Sequence, residues 1–177
     1  MRFIFNPYQE CTYVLTDYEG GPYVLDPGMY TEQEQVMFLD YLTSHAIVPR
    51  QILITHGHAD HICGLAFVQE HFPEAQVVRY PQTEPPHGDY TIIPTPGHKE
   101  DAVCFYFEKE KTLFSGDTLF CESVGRTDLE GGDWDALMHS LQRLMHLPEE
   151  TIVYPGHGPE TSIGHEKRHN PFIRGSI

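Results

Sequence analysis

A chain of 177 residues, 40% hydrophobic and 21% charged, suits one globular domain over residues 1–177, large enough to bury a core without staples. Its formal net charge of −15 excludes a nucleic-acid binder, which needs Lys and Arg to displace counterions from phosphates, and argues equally against an anionic membrane surface. No apolar run reaches the roughly 18 residues of a membrane helix, and the start MRFIFNPYQE carries no secretory pattern. The four cysteines, at 11, 63, 104 and 121, form no CxxC, so reduced thiols and a cytoplasmic location are expected.

In chain order, Arg2–Phe5, Cys11–Leu15 and Tyr23–Leu25 read as short strands, the last two separated by the turn Glu19-Gly20-Gly21-Pro22. Thr31–His45 reads as a helix, with Thr31 as N-cap, Glu34 three residues on, and Val36, Leu39 and Leu42 on one face. Gln51–Ile54 reads as a buried strand and Ile62–Phe72 as a helix. Gln76–Arg79, Tyr90–Ile93, Ala102–Glu108 and Thr112–Phe114 read as strands. Asp133–Met145 is a helix with the stripe Leu137, Leu141, Leu144. Thr151–Tyr154 is a last strand, and a short helix surrounds Glu160–Lys167. Strands come in runs with helices between the runs, which predicts a mixed two-sheet core with helices outside.

The stretch Ile54-Thr55-His56-Gly57-His58-Ala59-Asp60-His61 crowds three imidazoles and a carboxylate behind an apolar strand. Loops at strand ends carry function. His56 and His58, two apart, face the same way in extended backbone, and a turn into the next helix aims Asp60 and His61 at a neighbouring point. One loop thus offers two ligands to each of two metal sites. Imidazole and carboxylate are ordinary Zn²⁺ ligands, and iron and Mn²⁺ also accept them. Two ligands per ion are too few. Three further segments end an apolar strand with a ligand-type residue and a glycine: Pro96-Gly97-His98, Gly116-Asp117 and Pro155-Gly156-His157. The twelve histidines include seven without this context, at 45, 71, 87, 139, 146, 165 and 169; these read as surface, loop or packing residues. Asp26 reads either as a partner orienting a ligand histidine or as a turn former in Asp-Pro-Gly. Cys63 reads as a small residue packed under the site.

Taken together, HGHADH at 56–61, PGH at 96–98, GDTLF at 116–120 and PGHG at 155–158 resemble the metallo-β-lactamase superfamily, and within it the short, one-domain glyoxalase II-like hydrolases. Gly125-Arg126-Thr127-Asp128 and the tail with Asn170-Pro171-Phe172 resemble the same group. The resemblance implies an α+β fold, a four-layer αββα sandwich with metals at one rim. It implies two divalent ions, zinc first, with iron or manganese as alternatives. His56, His58 and His98 are expected to hold one ion, Asp60, His61 and His157 the other, and Asp117 to bridge them. The implied reaction is hydrolysis of a small-molecule thioester such as S-D-lactoylglutathione by a metal-bridging hydroxide that Asp60 helps orient. The helical C-terminal domain of longer glyoxalase II enzymes, with its glutathione contacts, is absent from residues 1–177. Where those enzymes place Lys and then Tyr, this chain has Arg126 and then Asp128, and Arg126 is the expected contact for a substrate carboxylate. Persulfide dioxygenases, which use one iron, share HADHI at 58–62 and GRTD at 125–128. Lactone hydrolysis is a third reading. A non-catalytic metal-binding protein fits less well, because structural zinc sites are closed and often thiolate-rich.

Overall fold

The structure, a computed structural model, describes residues 1–82, 84–86, 88 and 90–174. In chain order the elements are β1 (Arg2–Phe5), β2 (Glu10–Leu15), β3 (Tyr23–Leu25), α1 (Glu32–Ser44), β4 (Gln51–Leu53), α2 (Ala59–Ile62), α3 (Leu65–His71), β5 (Gln76–Val78) and β6 (Thr91–Pro94). Then follow β7 (Val103–Phe107), β8 (Thr112–Gly116), β9 (Leu119–Phe120), β10 (Ser123–Val124), α4 (Trp134–Leu144), β11 (Ile152–Pro155), β12 (Thr161–Ser162) and α5 (Ile163–His169). One five-stranded sheet has the order β1-β2-β3-β4-β5 and the other β12-β11-β8-β7-β6, with β9 and β10 a separate hairpin.

Strand alternation assembles the layers. Tyr13 and Leu15 of β2 point between the sheets, where they meet Phe105 and Phe107 of β7 and Phe114 of β8. Val14, between them in sequence, points outward to Phe38 and Leu42 of α1. On the far side, Tyr106 and Leu113 meet Leu137, Leu141 and Leu144 of α4 and Ile163 of α5. The result is the expected αββα sandwich. Burying a Leu side chain is worth about 1.5–3 kcal/mol, so the leucine stripe of α4, with all three members buried, anchors that helix.

Several elements differ from expectation. The first helix has its capping box, Thr31 with Glu34, but its buried face is Phe38 and Leu42. Val36 is 52% exposed, because the sheet lies against the neighbouring helical stripe. The helix expected over 62–72 is two, since Cys63 and Gly64 interrupt it: Cys63 caps α2 and Gly64 starts α3. A Cβ on Gly64 would lie 2.8 Å from the Pro27 carbonyl oxygen, so this close approach requires glycine. The short strands β9, β10 and β12 were not anticipated; two residues hold too little periodicity to read. All four cysteines are free thiols. No helix among the described residues is long and apolar enough to cross a membrane.

Topology places the site. β6 and β8 both run antiparallel to β7, and β11 runs parallel to β8. All three therefore run in the same direction and leave the sheet at one edge. The loops that follow carry His98, Asp117 and His157. β4 brings the 56–61 stretch from the other sheet, and a bond from Val103 N–H to the Thr55 carbonyl, 2.8 Å, joins the two sheets there.

Candidate metal centre

Seven side chains from four strand ends converge at this rim. The Nδ1 of His58 lies 3.0 Å from His56 Nε2 and 2.9 Å from His98 Nε2. A second group consists of Asp60, His61 and His157. His157 Nε2 is 3.3 Å from Asp60 Oδ2, and His61 Nε2 is 3.8 Å from the same oxygen. Asp117 stands between the groups. Its carboxylate is 3.5 Å from His98 Nε2, 3.3 Å from His61 Nε2 and 3.6 Å from His157 Nε2.

Hydrogen bonds made by the opposite ring nitrogens fix the tautomers. His98 Nδ1 donates to the Arg126 carbonyl, 2.8 Å, and His157 Nδ1 donates to the Tyr8 carbonyl, 2.9 Å. His61 Nδ1 donates to Asp26 Oδ2 at 2.9 Å. The Thr55 hydroxyl gives its proton to Asp26 at 2.5 Å and so accepts from His56 Nδ1 at 3.1 Å. Four rings thus turn Nε2 inward, and each presents a lone pair there when it is neutral. Neutral imidazole lone pairs aimed at each other repel, and a cation between them reverses that. His61 Nε2 and Asp117 Oδ1, 3.3 Å apart, are buried and make no hydrogen bond that meets the usual geometry, a state that native interiors rarely tolerate. This donor set fits divalent ions.

Electrostatics follow from burial and from the carboxylates. Burial holds His56 well below the ordinary imidazole value, reinforced by the neighbouring rings of His61 and His98. Burial also pushes His61 down, but Asp117 and Asp26 outweigh it and raise His61 well above that value. Asp117 is held low by His61, His157 and His98 despite the opposing effect of burial.

Glycines let backbone approach the centre. A Cβ on Gly156 would meet Asp117 Oδ1 at 2.3 Å and His61 Cε1 at 2.6 Å. One on Gly125 would meet the Asp117 carbonyl oxygen at 1.9 Å.

All seven expected residues come together. Asp60 and His61 lie in the first turn of α2 rather than in a loop. Arg126 lies beside the centre, with its guanidinium exposed and joined to Asp128 by two 2.7 Å bonds. Those bonds pull Asp128 down to about 2. Of the two readings for Asp26, the bond to His61 supports the orienting one. Cys63 is half-buried and lines a cleft with Asp60, and its thiol meets the Gly28 carbonyl at 3.1 Å. His45, His71, His139 and His146 each bond the carbonyl four residues back on or at the end of their own helix. His87 lies outside the described residues. One residue escaped the sequence reading: Glu10, wholly buried beside His61 and Asp26. Burial raises its carboxyl well above the ordinary value. Its Oε2 lies 2.9 Å from the Thr12 hydroxyl, which also bonds the Asp26 carbonyl at 2.7 Å.

An αββα sandwich with a three-histidine group, an Asp60–His61–His157 group and Asp117 between them at one rim is the architecture of a metal-binding protein. The chain belongs to the metallo-β-lactamase superfamily, whose family model matches residues 6–91 and 78–157. It is 34% identical over 170 residues to the hydroxyacylglutathione hydrolase of Francisella philomiragia, covering 88% of this chain and 65% of that enzyme. The span covered of other curated relatives runs from 37% to 97% of their length. Among solved structures, TTHA1623 in a di-iron-bound form superposes with a TM-score of 0.88 at 33% identity, over 97% of this chain and 99% of that one. ETHE1 from Myxococcus xanthus superposes with a TM-score of 0.84 at 29% identity, over 99% and 84%. Most members of the superfamily are metal-dependent hydrolases, and its fold binds divalent metals.

Proposed function

We propose that this chain is a dinuclear metal-dependent hydrolase that cleaves a thioester, such as S-D-lactoylglutathione, to a hydroxy acid and a free thiol. The observation that carries the reading is Asp117, whose one carboxylate lies within 3.3 to 3.6 Å of histidines from both triads. In this reading His56, His58 and His98 hold one ion, Asp60, His61 and His157 hold the other, and Asp117 bridges them. The ions are zinc, iron or manganese, and supply Lewis acidity and a water acidified toward neutrality.

The chain's own residues supply orientation. Asp60 is half-buried at the mouth of the second triad, where its carboxylate is available to align a nucleophilic water. The Tyr8 and Arg126 carbonyls hold the rings of His157 and His98 in their inward tautomer. Two clefts border the centre, one beside Asp60 and one beside His58. One, of about 330 Å³, is lined by Pro7, Tyr8, Tyr30, Asp60 and Cys63. The other, of about 510 Å³, is lined by His58, Lys99, Glu100, Leu129 and Glu130. An acyl group and a thiol on either side of the scissile bond fit two such clefts. Arg126 needs to exchange Asp128 for a substrate carboxylate to act as a contact.

The likeness to hydroxyacylglutathione hydrolase supports thioester chemistry, and the complete second triad supports two-ion hydrolysis. The likeness to ETHE1, a persulfide dioxygenase, favours a second reading in which one iron serves oxygen chemistry. Metal analysis with paired assays separates them. Two ions at the histidine–aspartate centre with hydrolysis of S-D-lactoylglutathione support the proposal. One iron at that centre with oxygen uptake on glutathione persulfide and no thioester turnover overturns it. Hydrolysis restricted to lactones would move the same centre to a different ester.

A further inference from the structure

We infer that the chain carries an additional metal site, separate from the histidine–aspartate centre, formed by Cys121, Glu122 and His165 and suited to a zinc-class divalent cation. Cys121 and Glu122 form the turn between β9 and β10, and His165 lies in the first turn of α5. One sulfur, one carboxylate oxygen and one ring nitrogen from these residues all lie within 4.8 Å of each other. Thiolate, imidazole and carboxylate are together the zinc ligand set, and three protein ligands leave a fourth position for water. His165 Nε2 is 2.9 Å from Glu122 Oε1. A nucleophilic thiol relayed through the imidazole would separate sulfur and carboxylate across the ring. Here both lie close to one another, the arrangement of donors around a single ion.

The two elements are locked before any ion arrives. Glu166, next to His165 and wholly buried, accepts the Glu122 backbone N–H at 2.9 Å. The same carboxylate accepts from Thr161 at 2.5 Å and Asn170 at 2.8 Å. Asn170 also reaches the Ser123 carbonyl at 3.1 Å. Glu122 is held at a left-handed φ of 55°. The Ser162 hydroxyl caps α5 on the His165 N–H at 3.1 Å, and the His169 ring lies against that of His165 with centroids 4.6 Å apart. The cations of α5 turn elsewhere: Lys167 and Arg168 both face Glu149. Nothing positively charged on that helix therefore competes for the cluster through those two residues. On binding, the Cys121 thiol proton leaves to solvent as the sulfur–metal bond forms. The bound ion would tether the hairpin that carries Phe120, whose ring centroid is 6.2 Å from that of His157, to α5.

The test is a Co²⁺ titration of the full, metal-stripped chain, read by near-ultraviolet absorption. The His/Asp centre contains no sulfur ligand, so a thiolate-to-cobalt charge-transfer band reports the new site alone. The expected result is such a band in the wild type, lost together with one equivalent of bound cobalt in Cys121→Ser. His165→Gln should lose the same band and equivalent, which guards against a folding defect in either variant. The comparison is a difference between variants and does not depend on how many ions the other centre takes. Absence of the band in the wild type, or its persistence in Cys121→Ser or His165→Gln, overturns the assignment.

Discussion

His61 Nδ1 lies 2.9 Å from Asp26 Oδ2, and that bond leaves Nε2 facing Asp117 Oδ1 at 3.3 Å. Asp26 is itself fixed by the Thr55 N–H at 2.7 Å and the Thr55 hydroxyl at 2.5 Å. It sits at φ 44°, a conformation that Asn and Asp adopt more readily than other non-glycine residues. Asp26→Asn therefore keeps the backbone and removes the charge. We expect it to fold normally and to bind metal about 10–100-fold more weakly, the cost typical of losing such an orienting partner. Metal titration with circular dichroism checks this; wild-type affinity would limit Asp26 to turn formation.

Metal uptake should expel a proton from His61. In the metal-free chain its raised value keeps the ring charged between Asp117 and Asp26 at neutral pH. The stability this charge confers is complete below the unfolded value of 6.5 and is lost as pH rises through the folded value. An ion needs the neutral ring, so the proton must leave. Calorimetry in two buffers of different ionisation enthalpy should register proton release that shrinks as pH rises. Uptake without proton release near neutral pH would contradict the assigned charge.

Gly156→Ala probes the close approach at the centre. Gly156 has no left-handed φ, so alanine meets no backbone penalty there. Its Cβ would instead press on Asp117 and His61. Metal affinity should fall by about tenfold or more, comparable to the loss of an orienting partner, with secondary structure retained. Unchanged affinity would mean that the carboxylate can be displaced without cost.

Much of this centre was legible because its ligands follow strand ends, where an apolar run stops at a histidine or aspartate. The spacing of His56, His58, Asp60 and His61 is local and survives folding. Glu10 was not legible: the strand was expected to start at Cys11, and a glutamate at a strand margin reads as solvent-facing. Its burial comes from Gly28, where a Cβ would overlap Glu10 Oε2 at 2.0 Å. Val36 was misplaced for a related reason, since one turn of helix offers two apolar stripes, Val36 and Phe38, and only the sheet selects between them. His165 resembled any surface histidine until the β9–β10 turn, far back in sequence, came beside it.

Glu10→Gln tests the neutral form of that buried acid. A protonated Glu10 donates to Thr12, which then donates to the Asp26 carbonyl and accepts from the Gly28 N–H at 3.0 Å. With its folded value raised above 4.5, the carboxyl's contribution to stability is present below 4.5 and declines as pH rises toward the folded value. Glutamine removes that decline. The variant should gain stability relative to wild type as pH rises above 4.5, measured by urea denaturation across pH. A parallel pH dependence in both proteins would mean that folding leaves the proton affinity of the Glu10 carboxyl unchanged.

The central claim is that Asp117 joins two ion sites into one. The direct measurement is metal stoichiometry at the histidine–aspartate centre, made in a Cys121→Ser background so that the hairpin cluster does not contribute. We expect two ions per chain, and Asp117→Ala should lose both together, with turnover falling by at least about 10²-fold, the upper range for loss of a mere orienting partner. One ion per chain before the substitution, or one ion retained at wild-type affinity after it, would contradict the account.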